Sequence, residues 1–230
     1  MSFFPSPPPP IHRDAHAVLL ICLLIGLVGL IFWWPIALLG FGAAAAVYMT
    51  YRDPERIVPQ RPGLVVSPAD GYVLFVRDDV PLTDLEMGPE PRPHIAISIG
   101  TTDNHVNRMP VDGIVERVSY RPGLYLNHKL DAAIDFNERQ SIRVHTPSDG
   151  VVGIVQIAGI LARRIVATVK EGDQVVTGER FGLIRFGSRV DIYLPAGVSV
   201  LVTAGQRMVG GETVIADFAS GEGQRAGAVR

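Results

Sequence analysis

From Ala17 to Met49 the chain runs for 33 residues without a charge, AVLLICLLIGLVGLIFWWPIALLGFGAAAAVYM. A single helical crossing of a hydrocarbon layer ~30 Å thick needs only about 20 apolar residues. Pro35, behind Trp33 and Trp34, interrupts the run, because proline lacks an N–H and disfavours helix in the residue before it. The expectation is two helices, roughly Ala15–Phe32 and Pro35–Tyr51. They form either a hairpin that enters and leaves a bilayer on one side or one long kinked span. Tryptophan at the break suits a membrane interface. A cleaved signal peptide fits less well, since the run exceeds the roughly 7–15 residues of a signal core. Arg13 lies before the run and Arg52, Arg56 and Arg61 after it. By the positive-inside rule, a hairpin then keeps both flanks in the cytoplasm.

The apolar excess is concentrated there. The 230 residues have a mean hydropathy of +0.25, 19% charged residues and a net charge of −2. That balance argues against a disordered chain and against a nucleic-acid binder working through a strong positive field. The single cysteine, Cys22, excludes an intramolecular disulfide framework and any multi-cysteine metal centre. The organisation expected is a proline-rich tail at 1–14, a hydrophobic anchor at 15–51, a β-rich domain at 57–218 and a flexible tail at 219–230.

Within 57–218, short β-branched runs recur between Gly, Pro and Asp punctuation. They are Gly71–Val76, His94–Ile99, Gly113–Tyr120, Ser141–His145, Val151–Ala158, Arg164–Val169, Arg189–Leu194, Ser199–Thr203 and Thr213–Asp217. Alternation in Arg189-Val190-Asp191-Ile192-Tyr193-Leu194 suggests a strand with one buried face. The fold class expected is mainly β, a barrel or sandwich-like domain behind a helical membrane anchor. Ser67-Pro-Ala-Asp-Gly-Tyr-Val is echoed by Thr146-Pro-Ser-Asp-Gly-Val-Val. Asp-Gly before a β run is a hairpin signal, and two copies suggest duplicated half-barrels. Lys170–Gly182 resembles the turn-strand-turn of biotinyl and lipoyl carriers, with hammerhead-like hairpins.

Familiar catalytic motifs are missing. There is no phosphate loop, no HExxH and no GxSxG, and the six histidines do not pair at metal spacing, so no metal site is expected. Only two lysines, Lys129 and Lys170, accompany 19 arginines. Neither has the context of a lysine that forms a Schiff base. Gly187-Ser188, between two β runs, has two readings. It is a plain turn, or it is a site of autocatalytic cleavage. Glycine leaves its carbonyl open and tolerates strained angles. A following serine can attack that carbonyl and convert amide to ester, and elimination then leaves an amino end that becomes a pyruvoyl group.

Several motifs occur in a telling order: Tyr51-Arg-Asp-Pro-Glu-Arg, Ser67-Pro-Ala-Asp-Gly, Asp103-Asn-His-Val-Asn-Arg-Met-Pro, Asn137-Glu-Arg, Gln156-Ile-Ala-Gly, Ala162-Arg-Arg-Ile and Gly178-Glu-Arg-Phe-Gly-Leu-Ile-Arg-Phe-Gly-Ser-Arg-Val-Asp. In this order the chain resembles the phosphatidylserine decarboxylases, in their short membrane-bound form. The resemblance implies a proenzyme cut between Gly187 and Ser188 into a β chain, 1–187, and an α chain, 188–230. The two remain associated, and Ser188 becomes the covalent pyruvoyl cofactor. Asp70 maps onto the family's self-cleavage aspartate and His105 onto its decarboxylation histidine. Asp103 orients His105 if the stretch is extended. Long forms carry a second histidine where this chain has Arg108. Its charge suggests a ligand for the substrate phosphate or carboxylate.

The implied reaction joins the amine of phosphatidylserine to the pyruvoyl ketone as a Schiff base, releases CO₂ and returns phosphatidylethanolamine. The implied partners are phosphatidylserine and membrane lipid, with no nucleic acid, and the implied location is the cell membrane with the catalytic domain in the cytoplasm. Tyr120–Leu130 has the composition of an interfacial loop or of an ordinary core-covering one. The rival readings are a membrane-tethered adaptor with lipoyl-like modules and no catalysis, and a pyruvoyl enzyme for a soluble amino acid. The oligomeric state stays open.

Overall fold

The computed structural model describes residues 15–147, 150–160, 162, 164–184, 188–223, 225 and 227. The chain divides into two units, Met1–Glu55 and Arg56–Arg230.

In the first unit, α1 (His16–Phe32) and α2 (Trp34–Tyr51) are separated by one extended residue, Trp33. Pro35 falls in the first turn of α2, where a missing N–H costs nothing. The helix therefore starts one residue earlier than the proline suggests. The two helices pack as an antiparallel hairpin. A Cβ on Gly29 would lie 2.3 Å from Ala37 N, and one on Gly40 2.3 Å from Gly26 N. Gly26, Gly29, Ala37, Gly40 and Ala44 are buried, while Leu20, Leu27, Leu30, Phe32, Leu38 and Leu39 are exposed. A water-soluble helix pair buries its large side chains. Close approach over small residues, with large apolar side chains outward, is how helices associate in lipid. By length and composition α2 is sufficient to cross a membrane, and α1 is an apolar helix of 17 residues.

The second unit contains β1 (Leu64–Val66), β2 (Gly71–Asp79), β3 (Arg92–Ile99), β4 (Val106–Arg108), β5 (Gly113–Arg121), α3 (Ala133–Phe136), β6 (Arg139–Thr146), β7 (Gly150–Ile157), β8 (Ile165–Ala167), β9 (Gln174–Val175), β10 (Arg180–Ile184), β11 (Ser188–Tyr193), β12 (Ser199–Val200), β13 (Arg207–Met208) and β14 (Val214–Asp217). Eight strands form a curled sheet in the order β13-β2-β3-β11-β7-β6-β5-β9. Two smaller sheets run β1-β14-β12 and β4-β10-β8. The mainly β expectation is met, and each β run named from the sequence contains a strand.

Ile95, Ile97, Ile99, Val152, Ile154, Val190 and Ile192 point into one core, closed by Phe181, Met208 and Ile215 from the other strands. The opposite face of β3, β11 and β7 is also covered, by Leu85, Met87 and Ile134. This corrects the one-sided reading of Arg189–Leu194, for every residue of β11 is buried. Its polar side chains alternate with apolar ones because they pair with each other under a covering layer, not because they face water.

The Asp-Gly echo marks two unlike turns. Thr146 pairs with Gly150 across the β6–β7 hairpin, with Ser148 and Asp149 outside the described residues. Gly71 instead opens β2, whose neighbours are β13 and β3, so the echo is no sign of duplicated half-barrels. At φ +150°, a Cβ on Gly71 would lie 2.1 Å from Ser98 O. At Gly172 φ is +90°, but a Cβ there would meet nothing within 4 Å. Gly172→Ala carries only a backbone penalty, about 1–2 kcal/mol, whereas Gly71→Ala adds a clash with backbone. Thermal unfolding in detergent should show the larger loss of midpoint for Gly71→Ala.

Candidate active site

Antiparallel pairing gathers one set of strand ends. β2, β11 and β6 begin, and β3 and β7 end, at the same end of the curled sheet. Four of the motifs quoted from the sequence meet there. Ser67–Gly71 leads into β2, Asp103–Pro110 follows β3, Asn137–Arg139 opens β6 and Gln156–Gly159 closes β7.

Ser188 heads β11 opposite Ile99 of β3. It is fully buried, and among the described residues its Oγ has no hydrogen-bond partner. Alternation turns Ser188, Val190 and Ile192 to the enclosed core. Gly187 lies outside the described residues.

Two buried amides share this face. Gln156 pairs with Val190, one diagonal step from Ser188, a spacing of about 7–8 Å between such positions. Gln156 Nε2 donates to Asn107 Oδ1 at 2.8 Å. Among the described residues, Asn107 Nδ2 and Gln156 Oε1 have no hydrogen-bond partner. Both residues lie inside the motifs quoted from the sequence, but nothing in composition or spacing singled them out.

His105 precedes β4, and its carbonyl accepts the N–H of Ile184, the last residue of β10, at 3.2 Å. Its ring Nδ1 lies 2.7 Å from the Asp103 carbonyl oxygen. A carbonyl only accepts, so Nδ1 carries the proton and Nε2 is the basic nitrogen of the neutral ring. Asp103 therefore holds His105 through its main chain. The carboxylate points elsewhere, accepting from Gly100 N–H at 2.9 Å and from Arg207 Nη2 at 2.7 Å. The orienting role expected of its side chain needs an extended strand, and 100–103 is a turn closed by Asp103 N–H to Gly100 O at 3.2 Å.

Asp70 accepts from Arg56 Nη2 at 2.8 and 3.1 Å and from Gly210 N–H at 2.7 Å. β3 lies between β2 and β11, so two strand spacings, roughly 9–10 Å, separate the strand that follows Asp70 from the one that Ser188 heads. Arg108 is 6% exposed; its Nη1 donates to Gly178 O at 3.0 Å and its N–H to Pro68 O at 2.9 Å. Arg108 thus ties the Asp70 loop to the Gly178 turn. No three His, Cys, Asp or Glu side chains form a metal-holding group among the described residues.

The other face of β11 carries a buried ion pair. Arg189 Nε and Nη2 each donate to Asp191 at 2.6 Å, and His94 Nε2 lies 2.9 Å from Asp191 Oδ2. All three are fully buried. His94 stacks on Tyr193 at 4.1 Å and meets the edge of Phe75 at 5.1 Å. Burial pushes the Asp191 carboxyl up, but the Arg189 charge and the hydrogen bonds from His94 and Arg189 outweigh it and hold the group below its ordinary range. Burial, with Asp191 and Asp79 adding to it, pushes the Tyr193 hydroxyl up. His128, 3.0 Å from Ser98 Oγ, is pulled down to about 4 by burial, then by Lys129 and Arg189, and is neutral near pH 7.

The phosphatidylserine decarboxylase family model matches residues 43–216. The chain is 46% identical over 221 residues to a phosphatidylserine decarboxylase proenzyme of Cereibacter sphaeroides, covering 96% of this chain and 95% of that one. It is 48% identical over 209 residues to the protein of that name from Granulibacter bethesdensis, covering 91% and 86%. The β-rich unit with its gathered strand ends is thus that of a decarboxylating lyase. More narrowly, the chain belongs to the phosphatidylserine decarboxylase family.

Asp191→Asn leaves Arg189 buried without its counter-charge, a loss of about 3–5 kcal/mol. A carboxyl whose folded pKa is depressed contributes stability above its unfolded pKa, near ~3.9, and loses it as pH falls below that. Thermal midpoints in detergent should be lower for the variant at pH 7, and the gap should close in acid.

Proposed function

We propose that the chain is made as a proenzyme, cuts itself between Gly187 and Ser188, and as two chains, 1–187 and 188–230, decarboxylates phosphatidylserine to phosphatidylethanolamine. The observation that carries this reading is Ser188, a fully buried hydroxyl without a partner at the head of a central strand. A buried polar atom left unpaired is costly, and its persistence here supports a chemical task over a plain turn.

The residues fit a pyruvoyl group at position 188. The position is enclosed, and orphaned amide atoms of Asn107 and Gln156 lie on the same face. Such a group supplies an electron sink for the pair left behind when CO₂ departs, the part pyridoxal plays elsewhere. The chain's own residues do the rest. β11, hydrogen-bonded to β3 and β7 on either side, holds the new amino end in place. His105, its Nδ1 fixed by the Asp103 carbonyl, takes up a proton at Nε2 and delivers it to the headgroup carbon. Asp70, in the loop that leads into β2, serves self-cleavage. The charge of Arg108 suggests a ligand for the substrate phosphate or carboxylate. Its burial and its bond to Gly178 O favour a different part, fixing the processing loop.

The α chain stays because its strands are interleaved with those of the β chain. β11 lies between β3 and β7, β13 pairs with β2, and β14 pairs with β1. The apolar hairpin supports a cell-membrane location with the catalytic unit on the cytoplasmic side. Around the gathered strand ends, Tyr120, Leu124, Leu130 and Phe136 are exposed beside Arg121 and Lys129, a composition suited to the headgroup layer. Acyl chains can then stay in lipid during turnover. The adaptor alternative has no use for an orphaned serine and is not favoured by the family match.

Intact mass of the purified protein tests the reading. Two chains are expected, the smaller beginning at position 188 with a blocked, carbonyl-bearing end. Ser188→Ala should stay one inactive 230-residue chain; cleavage persisting in that variant would sink the proposal. For His105→Ala, the two-chain pattern should survive while CO₂ release from phosphatidylserine vesicles falls by on the order of 10²-fold or more. Loss of both, or of neither, counts against the division of labour with Asp70.

A further inference from the structure

Among the described residues, three buried side-chain atoms without a hydrogen-bond partner, Ser188 Oγ, Asn107 Nδ2 and Gln156 Oε1, belong to one face of the β11–β7 pair and the β4 residue bonded to it. Native interiors keep such atoms few, and a cluster of them beside a reacting group calls for a cause. The two amides bond each other once, through Gln156 Nε2 and Asn107 Oδ1 at 2.8 Å. With one amide–amide bond made, turning both side chains over leaves the same inventory, one unpaired N–H donor group and one unpaired C=O acceptor. The sheet holds the pair in place. Gln156 is fixed in β7 between Val190 and Gln140, and Asn107 is fixed in β4 opposite Gly182. Gly182 leaves room for the amides, since a Cβ there would lie 3.2 Å from Gln156 Nε2.

We propose that the Asn107–Gln156 pair supplies the hydrogen-bond donor for the first step of self-cleavage. This rests on the reading of Ser188 as the self-cleaving residue. In that step Ser188 Oγ bonds to the carbonyl carbon before it. The carbonyl oxygen takes the electron pair and becomes an oxyanion. The carbon–nitrogen bond then breaks, the proton lost by Oγ ends on the nitrogen, and the product is an ester. Gln156 lies one diagonal step from Ser188 on the face to which Ser188 turns, so the orphaned N–H is on the side of the sheet from which Oγ reacts. A fixed donor aimed at developing charge in a dry site is worth far more than one in water. It also answers what accompanies Asp70 in a chain with Arg108 at the position of the second histidine. The helper is a neutral donor, and the proton itself is handled elsewhere.

Acid isosteres test the donor without changing shape. In Asn107→Asp, the Gln156 NH₂, which already faces position 107, donates to the new carboxylate, and the orphaned NH₂ of Asn107 is gone. In Gln156→Glu, the Asn107 NH₂ is consumed in the same way. The experiment follows the conversion of newly made full-length chain, synthesised cell-free with vesicles, by gel and intact mass. Both variants should cut on the order of 10²-fold more slowly than the native chain, and hydroxylamine should not accelerate them, because no ester has formed. Cleavage of each variant should recover in acid, where a protonated carboxyl regains an O–H donor. Asn107→Leu and Gln156→Leu, which add no charge, should also cut slowly and should not recover in acid. Near-UV circular dichroism establishes that each variant is folded. Folded acid variants that cut at the native rate overturn the inference, as does hydroxylamine-driven scission, which places the defect after the ester. A native chain that never cuts, or a Ser188→Ala chain that does, overturns the underlying reading instead.

Discussion

The placement of Ser188 depends on an ion pair made by the residues one and three beyond it. Arg189 and Asp191 alternate with Ser188, Val190 and Ile192, so the strand turns its charges to one face and its buried hydroxyl to the other. Neither charge reaches water. Burying two ions is expensive unless geometry and added hydrogen bonds compensate. Here the compensation is a two-point guanidinium–carboxylate contact with His94 as a third partner. Such a pair tolerates little sliding. A one-residue slip of β11 would turn Ser188 away from the enclosed core and drive Arg189 and Asp191 into it. The network is therefore a register lock, and the site at the strand end inherits its precision from it.

Much of this was legible in the sequence because the signals were long or local. An uncharged run broken at Trp33-Trp34-Pro35 can hardly be anything but two apolar helices, and strands of eight or nine residues such as β2, β5 and β6 display their alternation. Strands of two or three residues, such as β9, β13 and β1, have no room for a period and are set by what they pair with. The order of motifs pointed to the family, and antiparallel pairing explains why they lie together. What could not be read is which side chains meet. Asp70 finds Arg56, 14 residues before it, and Asp103 finds Arg207, 104 residues beyond it. Asn107 and Gln156, 49 residues apart, are unremarkable singly. Their importance lies in one shared bond and two unmade ones.

The hairpin and the β unit solve opposite packing problems. In the hairpin, small residues allow backbones to touch and leave large apolar side chains outside. In the β unit, branched side chains interlock inside, and the gathered strand ends carry their own exposed apolar rim. There, exposed Tyr120, Leu124 and Leu130 rim the same end of the sheet that carries the buried polar cluster. For a substrate with a polar headgroup and chains anchored in lipid, that is the useful direction of approach.

Interleaving of the strands has a thermodynamic consequence. Before scission, β11 to β14 are the distal part of a single polypeptide, and refolding is unimolecular. After a cut ahead of β11, the same hydrogen bonds join two molecules, and the short one contributes a central strand that the long one cannot replace. Recovery from denaturation then becomes second order in chain concentration. If the chain is cut there as proposed, the two-chain form is held by the slowness of its unfolding more than by a reversible equilibrium. The topology is then assembled once, while the backbone is continuous, with no easy route back to it.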